Sequence, residues 1–318
     1  MTELPSYQDL PPAPDGCRSA WGLFGAGDNL GLVNLMTPER IAAAARLITA
    51  GQVFPLDMPL GSIDPGLARG RGVPRHRVLH QAGTFGFDDV YDNFYPQASS
   101  QWDSLGHVGY AHDQMYNGAT EADVLSGRRN TIEHWARHGI AGRAVVLDVE
   151  RAMRAAGRHY HPGEAIALSV DDLELARRQA GADFAPGDTI LLRTGFAAWY
   201  LEQSVADRTR LHGKVVAPGV EQSEAMCEYL WNSHASAIAA DTYAVEVSPF
   251  DVRAGAAPTG FLHRILIGQF GMALGELWWL DDLAGACAAD GRYETFFVSA
   301  PLNAPGGIGS TANAVAIK

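Results

Sequence analysis

Residues 144–150 read Ala144-Val145-Val146-Leu147-Asp148-Val149-Glu150, a short apolar run bounded by turn residues. Such a run fits a strand buried on both faces. Two similar runs follow, TILLRTG at 189–195 and SAIAADT at 236–242. Helical signals lie between them. Ser169 is placed to cap VDDLELARRQAG (170–181), DFAPGD (183–188) reads as a turn, and Pro218 is expected to open a helix to about Trp231. Strands alternating with helices indicate an α/β layered fold.

Upstream, Thr37-Pro38-Glu39 is an N-cap, a first-turn proline and a favourable acid, so a helix is expected to run from there to Gly51. QVFPLDMPL (52–60) reads as a strand with a proline break. Residues 61–75, rich in Gly, Pro and Arg, read as a long exposed loop. RVLHQAGTF (77–85) and Gln97–Asp103 read as strands. No internal repeat or linker divides the chain. The expected organisation is an extension over 1–50, carrying one helix packed on the rest, and a main domain over 51–318.

The 318 residues carry 47% apolar and 19% charged side chains, a composition suited to a large core. The net charge of −12 disfavours nucleic acid and anionic membrane surfaces as partners. Lys214 and Lys318 are the only lysines, so Schiff-base and P-loop lysine chemistry is disfavoured. Cys17, Cys227 and Cys287 have neither disulfide-framework nor metal spacing, which suits a reducing compartment. The first 16 residues lack a signal-peptide pattern, and the apolar window Phe261–Leu280 contains His263, Arg264, Gln269 and Glu276. A cytoplasmic protein without a membrane span is expected.

Gly25-Ala26-Gly27-Asp28-Asn29-Leu30-Gly31 has the wrong spacing and no preceding strand for a dinucleotide fingerprint, so it reads as a turn. Nucleophile-elbow, HExxH and Walker patterns are absent from the sequence, and no organic cofactor is expected. The richest polar cluster spans Asp88 to Asn117. Within it, strand alternation puts Gln97, Ser99, Gln101 and Asp103 on one face and Ala98, Ser100 and Trp102 on the other.

QASSQWDSLGH (97–107) resembles the HxGTHxDxPxH motif shared by bacterial kynurenine formamidases, isatin hydrolases and the wider cyclase family. The likeness continues in order through GIAGRAVVLDV (139–149), GDTILLRTGF (187–196), AADTYAVE (239–246) and PTGFLHRILIGQFGMALGELWWL (258–280). It covers about residues 50–318. It implies a swivelling β/β/α-type domain with a mixed sheet, and a homodimer or higher homo-oligomer. It also implies a divalent metal, Mn or Zn, and hydrolysis of a small, aromatic lactone, cyclic amide or formamide. Carried over by position, Asp103, His263 and Glu276 are metal ligands and His107 is catalytic, while Gln97 and Gln101 stand where the family has histidines.

Amide oxygens are weaker, harder ligands than imidazoles. Three readings follow: a harder cation held by Gln97, Gln101 and the carboxylates, a cation held by Asp103, His263 and Glu276 alone, or a metal-free polar pocket. In the last, Gln97 and Gln101 would stabilise an oxyanion, with His107 or Glu276 as base. The rival functions are a metal-independent cyclase, lyase or isomerase using His107 as acid–base, and a non-catalytic small-molecule binder. Trp102, Tyr110 and Asp241 are further candidates for substrate contact, with Phe85, Phe87 and Phe94 as aromatic candidates. His80, His112 and Asn117 have weaker claims, and Trp278 and Trp279 are candidates for a subunit interface.

Overall fold

The computed structural model describes residues 4–13, 16–253 and 255–318. Thirteen strands are present among them: β1 Val53–Pro55, β2 Arg75–His80, β3 Phe87–Asp92, β4 Gln101–Asp103, β5 Ile140–Asp148, β6 Ala167–Leu168, β7 Thr189–Arg193, β8 Gly219–Val220, β9 Ala237–Ala240, β10 Ala273–Glu276, β11 Glu294–Ser299, β12 Gly309–Thr311 and β13 Ala314–Ile317. Nine form one mixed sheet in the order β1-β13-β11-β5-β7-β9-β10-β4-β12. The swivelling β/β/α class takes the form of this sheet with helices packed against it.

The three apolar runs make the parallel centre. β5 pairs with β7, β7 with β9 and β9 with β10, all parallel. Every residue of β9 and β10 is buried, as is β7 up to Arg193. This explains why these strands read as continuous apolar runs. The strand over 144–150 begins earlier, at Ile140, and ends at Asp148, whose side chain caps the helix Val149–Ala155 by accepting from Arg151 N. Ser169 forms a full capping box with Asp172 at the helix Val170–Ala180.

Further boundaries differ from the sequence reading: the strand read over 77–85 is β2, which ends at His80, and the strand read over 52–60 is β1, only Val53–Pro55. The helix expected from Pro218 is Glu224–Asn232, capped by Ser223, because the backbone after Pro218 is used in β8. The helix at Pro38 ends at Ala44 and tightens into a 3-10 turn, Ala45–Leu47. Gln97 lies in a 3-10 turn, Pro96–Ala98, and not on the strand, which covers only Gln101–Asp103.

Antiparallel edges flank the centre. β4 pairs with β10 so that Gln101 lies opposite Glu276, Trp102 opposite Gly275 and Asp103 opposite Leu274. Trp102 is fully buried on the core face, edge-on to Trp135 and Trp278, and its indole N–H donates to Ser299 Oγ at 2.8 Å. Gly275 makes room for this: a Cβ there would lie 2.8 Å from Trp278 Nε1. Trp278 is therefore core and does not form a subunit face; Trp279 is half-buried and bonds Asp282.

The described N-terminal residues are hydrogen-bonded to the rest of the fold. Tyr7 N donates to Asn232 Oδ1 (2.8 Å), and Trp21 Nε1 to Gly268 O (2.7 Å). The glycine-rich segment is a turn: Asp28 accepts from Leu30 N, Gly31 N, Asn34 and Tyr116 Oη. Gly31, at φ +61°, lies so close to Gly271 that a side chain there would collide with its backbone. Beside the sheet stands the hairpin β2–β3, with Val78, Leu79, Phe85, Phe87 and Tyr91 exposed. Among the described residues no helix is long and apolar enough to cross a membrane.

Candidate active site

Four segments converge beside β4. The Pro96–Ala98 turn brings Gln97, β4 brings Gln101 and Asp103, and the turn after it brings His107. The short helix His263–Leu266 and β10 bring His263 and Glu276. The cross-strand register puts Gln101 and Glu276 on one face, and Gln101 Nε2 donates to Glu276 Oε2 at 2.6 Å. Asp103 lies two residues along β4 on that face. Gln97 fits because β12 offers glycine at 309, where a Cβ would strike its side chain.

The hydrogen bonds are directional. Gln97 uses both amide hydrogens, one to Asp103 Oδ1 and one to His107 Nδ1 at 3.0 Å. An amide N–H only donates, so His107 Nδ1 is an acceptor here and a neutral ring carries its proton on Nε2. That nitrogen lies 3.7 Å from Asp103 Oδ1. Burial pushes the His107 pKa down, with Asp103 pulling it the other way, so the neutral ring is favoured at pH 7.

His263 is held at both nitrogens. Nδ1 is 2.8 Å from Glu246 Oε2, and Nε2 is 2.9 Å from Glu276 Oε1. Burial disfavours its charge, but the two carboxylates outweigh burial and hold the pKa well above the ordinary value. Glu276 is pushed up to about 7 by burial and the negative charge of Asp103, against His263 and Arg71.

One atom is left over. Asp103 is fully buried and its Oδ2, 3.8 Å from His263 Nε2, has no hydrogen-bond partner among the described residues. Donor atoms of Asp103, His263 and Glu276 all lie within 4.8 Å of one another. This set fits a divalent cation: two carboxylate oxygens and one imidazole, with Glu246 orienting the histidine from behind. Gln97 and Gln101 turn N–H groups, not oxygens, toward the carboxylates, so they add no ligand in this arrangement.

The cluster opens on a cavity of about 180 Å3. His107, His263 and Glu276 line it together with Arg71, Tyr243, Phe250 and Phe261. Phe250, Phe261 and His263 are stacked in sequence, each centroid 4.6 Å from the next, and Tyr243 lies parallel to Phe250 at 6.3 Å. These neighbours escaped the sequence reading. Tyr243 and Glu246 sit inside the AADTYAVE segment and Phe261 inside the segment over 258–280, both of which carried a usable signal; Arg71 and Phe250 come from loops with none.

Other candidates lie elsewhere. Trp102 faces the core, opposite the cluster, because strand alternation turns it away from Gln101 and Asp103. Tyr110 is buried beneath the Arg264 guanidinium, and its carbonyl accepts from Arg264 Nε. Asp241 accepts from Thr194 N, Thr194 Oγ1 and Gly195 N, which leaves it shaping the turn after β7 and not lining the cavity. Asn117 binds Gly22 and Gly25, and His112 pairs with Glu121 at the surface. His80, Phe85 and Phe87 are exposed on or beside the β2–β3 hairpin, and Phe94 is exposed beyond it.

No curated protein matches the chain. Among solved structures, one described as a novel cyclase is 31% identical, with a TM-score of 0.83, covering 94% of this chain and 99% of that one. Isatin hydrolase A from Ralstonia solanacearum is 20% identical with a TM-score of 0.60, covering 89% and 99%. Isatin hydrolase A from Labrenzia aggregata, bound to benzyl benzoate, is 16% identical with a TM-score of 0.56, covering 83% and 93%. The last two show likeness of fold. A family model described as "Putative cyclase" matches residues 54–247, more than half of the sequence, and the chain belongs to that cyclase family.

Proposed function

We propose that this chain hydrolyses a small, planar lactone, cyclic amide or formamide by attack of water on the acyl carbon. The observation that carries this reading is the buried Asp103–His263–Glu276 cluster, with an unpartnered Asp103 oxygen, facing an aromatic-lined cavity beside His107. A divalent cation held by Asp103, His263 and Glu276 would polarise the acyl oxygen and make water more acidic. The chain's own groups do the rest. Phe250 and Phe261 line the cavity as apolar walls beside the substrate. His107, kept neutral by burial, accepts the proton of the attacking water and returns it to the leaving atom. Gln97, bonded to its Nδ1, sets the orientation of the ring. Turning the Gln97 amide so that its oxygen faces Nδ1 selects the neutral tautomer with its proton on Nδ1, and that tautomer leaves Nε2 free to accept.

The test is a panel of aryl formamides, cyclic amides and lactones, with His107→Ala alongside wild type. One member should turn over, and the variant should lose about 10²–10⁴-fold in kcat. Equal rates for both proteins across the panel sink the role of His107. No turnover by wild type at all would instead favour a binding protein.

The glutamines favour a second reading, a metal-independent cyclase, lyase or isomerase with His107 as acid–base, because both amides direct N–H groups at the carboxylates. Elemental analysis of active protein separates the two. If the hydrolase reading holds, the carboxylate-rich set should prefer Mn to Zn. The double variant Gln97→His, Gln101→His should then raise Zn affinity by at least about tenfold, read by chelator competition. Unchanged Zn affinity would mean that these two side chains do not face the cation.

A further inference from the structure

We propose that Arg71 is the anion-recognition residue of this cavity, and that the site selects planar aryl carboxylates, the product class of lactone and cyclic-amide hydrolysis, over their neutral isosteres. The inference rests on the hydrolase reading in taking the cavity as a substrate site. Arg71 lines the cavity with Phe250, Phe261 and His107. Its Nη1 donates to the Gln97 carbonyl at 2.6 Å and reaches Gln101 Oε1 at 3.5 Å. Nε and Nη2 make no hydrogen bond to a described residue, and Arg71 forms no ion pair among them. A guanidinium tied at one nitrogen, with other N–H groups free, is prepared for a carboxylate.

The loop is built to hold it there. A Cβ on Gly66 would lie 2.5 Å from the Arg71 carbonyl, and one on Gly72 would strike the Asn93 side chain. Gly66 therefore excludes larger residues, and the backbone at Arg71 packs closely against it. The cavity, about 180 Å3, has room for one ring with a short substituent. Among the described residues, Arg71 is the one arginine or lysine lining the space beside Phe250 and Phe261. Acyl hydrolysis converts a neutral amide or ester into a carboxylate, so the product gains a partner that the neutral substrate lacks.

The experiment measures binding of benzoate and of benzamide, its neutral isostere, to the full chain by calorimetry at fixed ionic strength. Benzoate should bind at least about tenfold more tightly. Arg71→Gln should bring benzoate down to the benzamide level and leave benzamide unchanged, and Arg71→Lys should recover part of the preference. An arginine that merely clamps the Gln97 turn would weaken both ligands alike. The proposal is overturned by equal binding of the two, by an unchanged preference in Arg71→Gln, or by no benzoate binding at millimolar concentration. The hydrolase reading fails separately: benzoate preference without turnover on the substrate panel retains Arg71 and removes the reaction.

Discussion

Asp103→Asn is expected to lower kcat/KM by about 10²–10⁴-fold while the protein melts at or above the wild-type temperature. The two effects have one cause. Asp103 is fully buried beside Glu276 and His263, and its Oδ2 accepts from no described residue, so half of this carboxylate does nothing for the fold. Its charge also helps push Glu276 up to about 7, a measure of mutual repulsion between the two acids. Asparagine keeps the shape and removes that repulsion. It also removes the charge that would help hold a cation and that faces His107 Nε2 at 3.7 Å. Steady-state kinetics on whichever substrate the wild type turns over, with thermal melts of both proteins, check this. Activity within about tenfold of wild type would place the reacting centre elsewhere.

Much of this arrangement was legible because it depends on local pattern. The buried runs at 144–150, 189–195 and 236–242 have no polar alternation, and the structure uses them as β5, β7 and β9. Ser169 with Asp172 is a local cap and needs no tertiary information. Alternation also placed Trp102 on the face opposite Gln101 and Asp103, and the fold keeps it there, in the core. A substrate-contacting role for Trp102 conflicts with that alternation.

What stayed hidden is non-local. Gln101 meets Glu276 across 175 residues, and only the antiparallel register of β4 on β10 makes them neighbours. Glu246 supports His263 because the loop after β9 returns to the helix His263–Leu266, and loop paths leave no periodicity in sequence. Phe250 and Phe261 look like ordinary core aromatics until their stack ends on His263. Pro218 misled because its fixed φ suits a strand entry as well as a helix start.

Asp241→Ala should be the most destabilising single change at this end of the sheet, about 3–5 kcal/mol. The wild-type carboxylate is fully buried and accepts three hydrogen bonds, from Thr194 N and Oγ1 at 2.6 Å and Gly195 N at 2.7 Å. Alanine leaves those donors in a dry interior and removes a negative charge near the Arg193 guanidinium. Asp241→Asn should cost less, since one amide oxygen still accepts, and it supplies a pH test. Burial pushes the Asp241 carboxyl up to about 7, against the pull of Arg193 and the hydrogen bonds. The folded chain then keeps this proton between the ordinary carboxyl value of 3.8 and about 7, where the unfolded chain has lost it. Unfolding releases a proton in that window, so this group's contribution to stability falls as pH rises through it and is level above. Asparagine does not titrate. The stability difference between wild type and Asp241→Asn should therefore shrink from pH 4 to pH 7, as read by urea denaturation. A difference that grows with pH would mean that Asp241 is ionised throughout and that the three donors and Arg193 outweigh its burial.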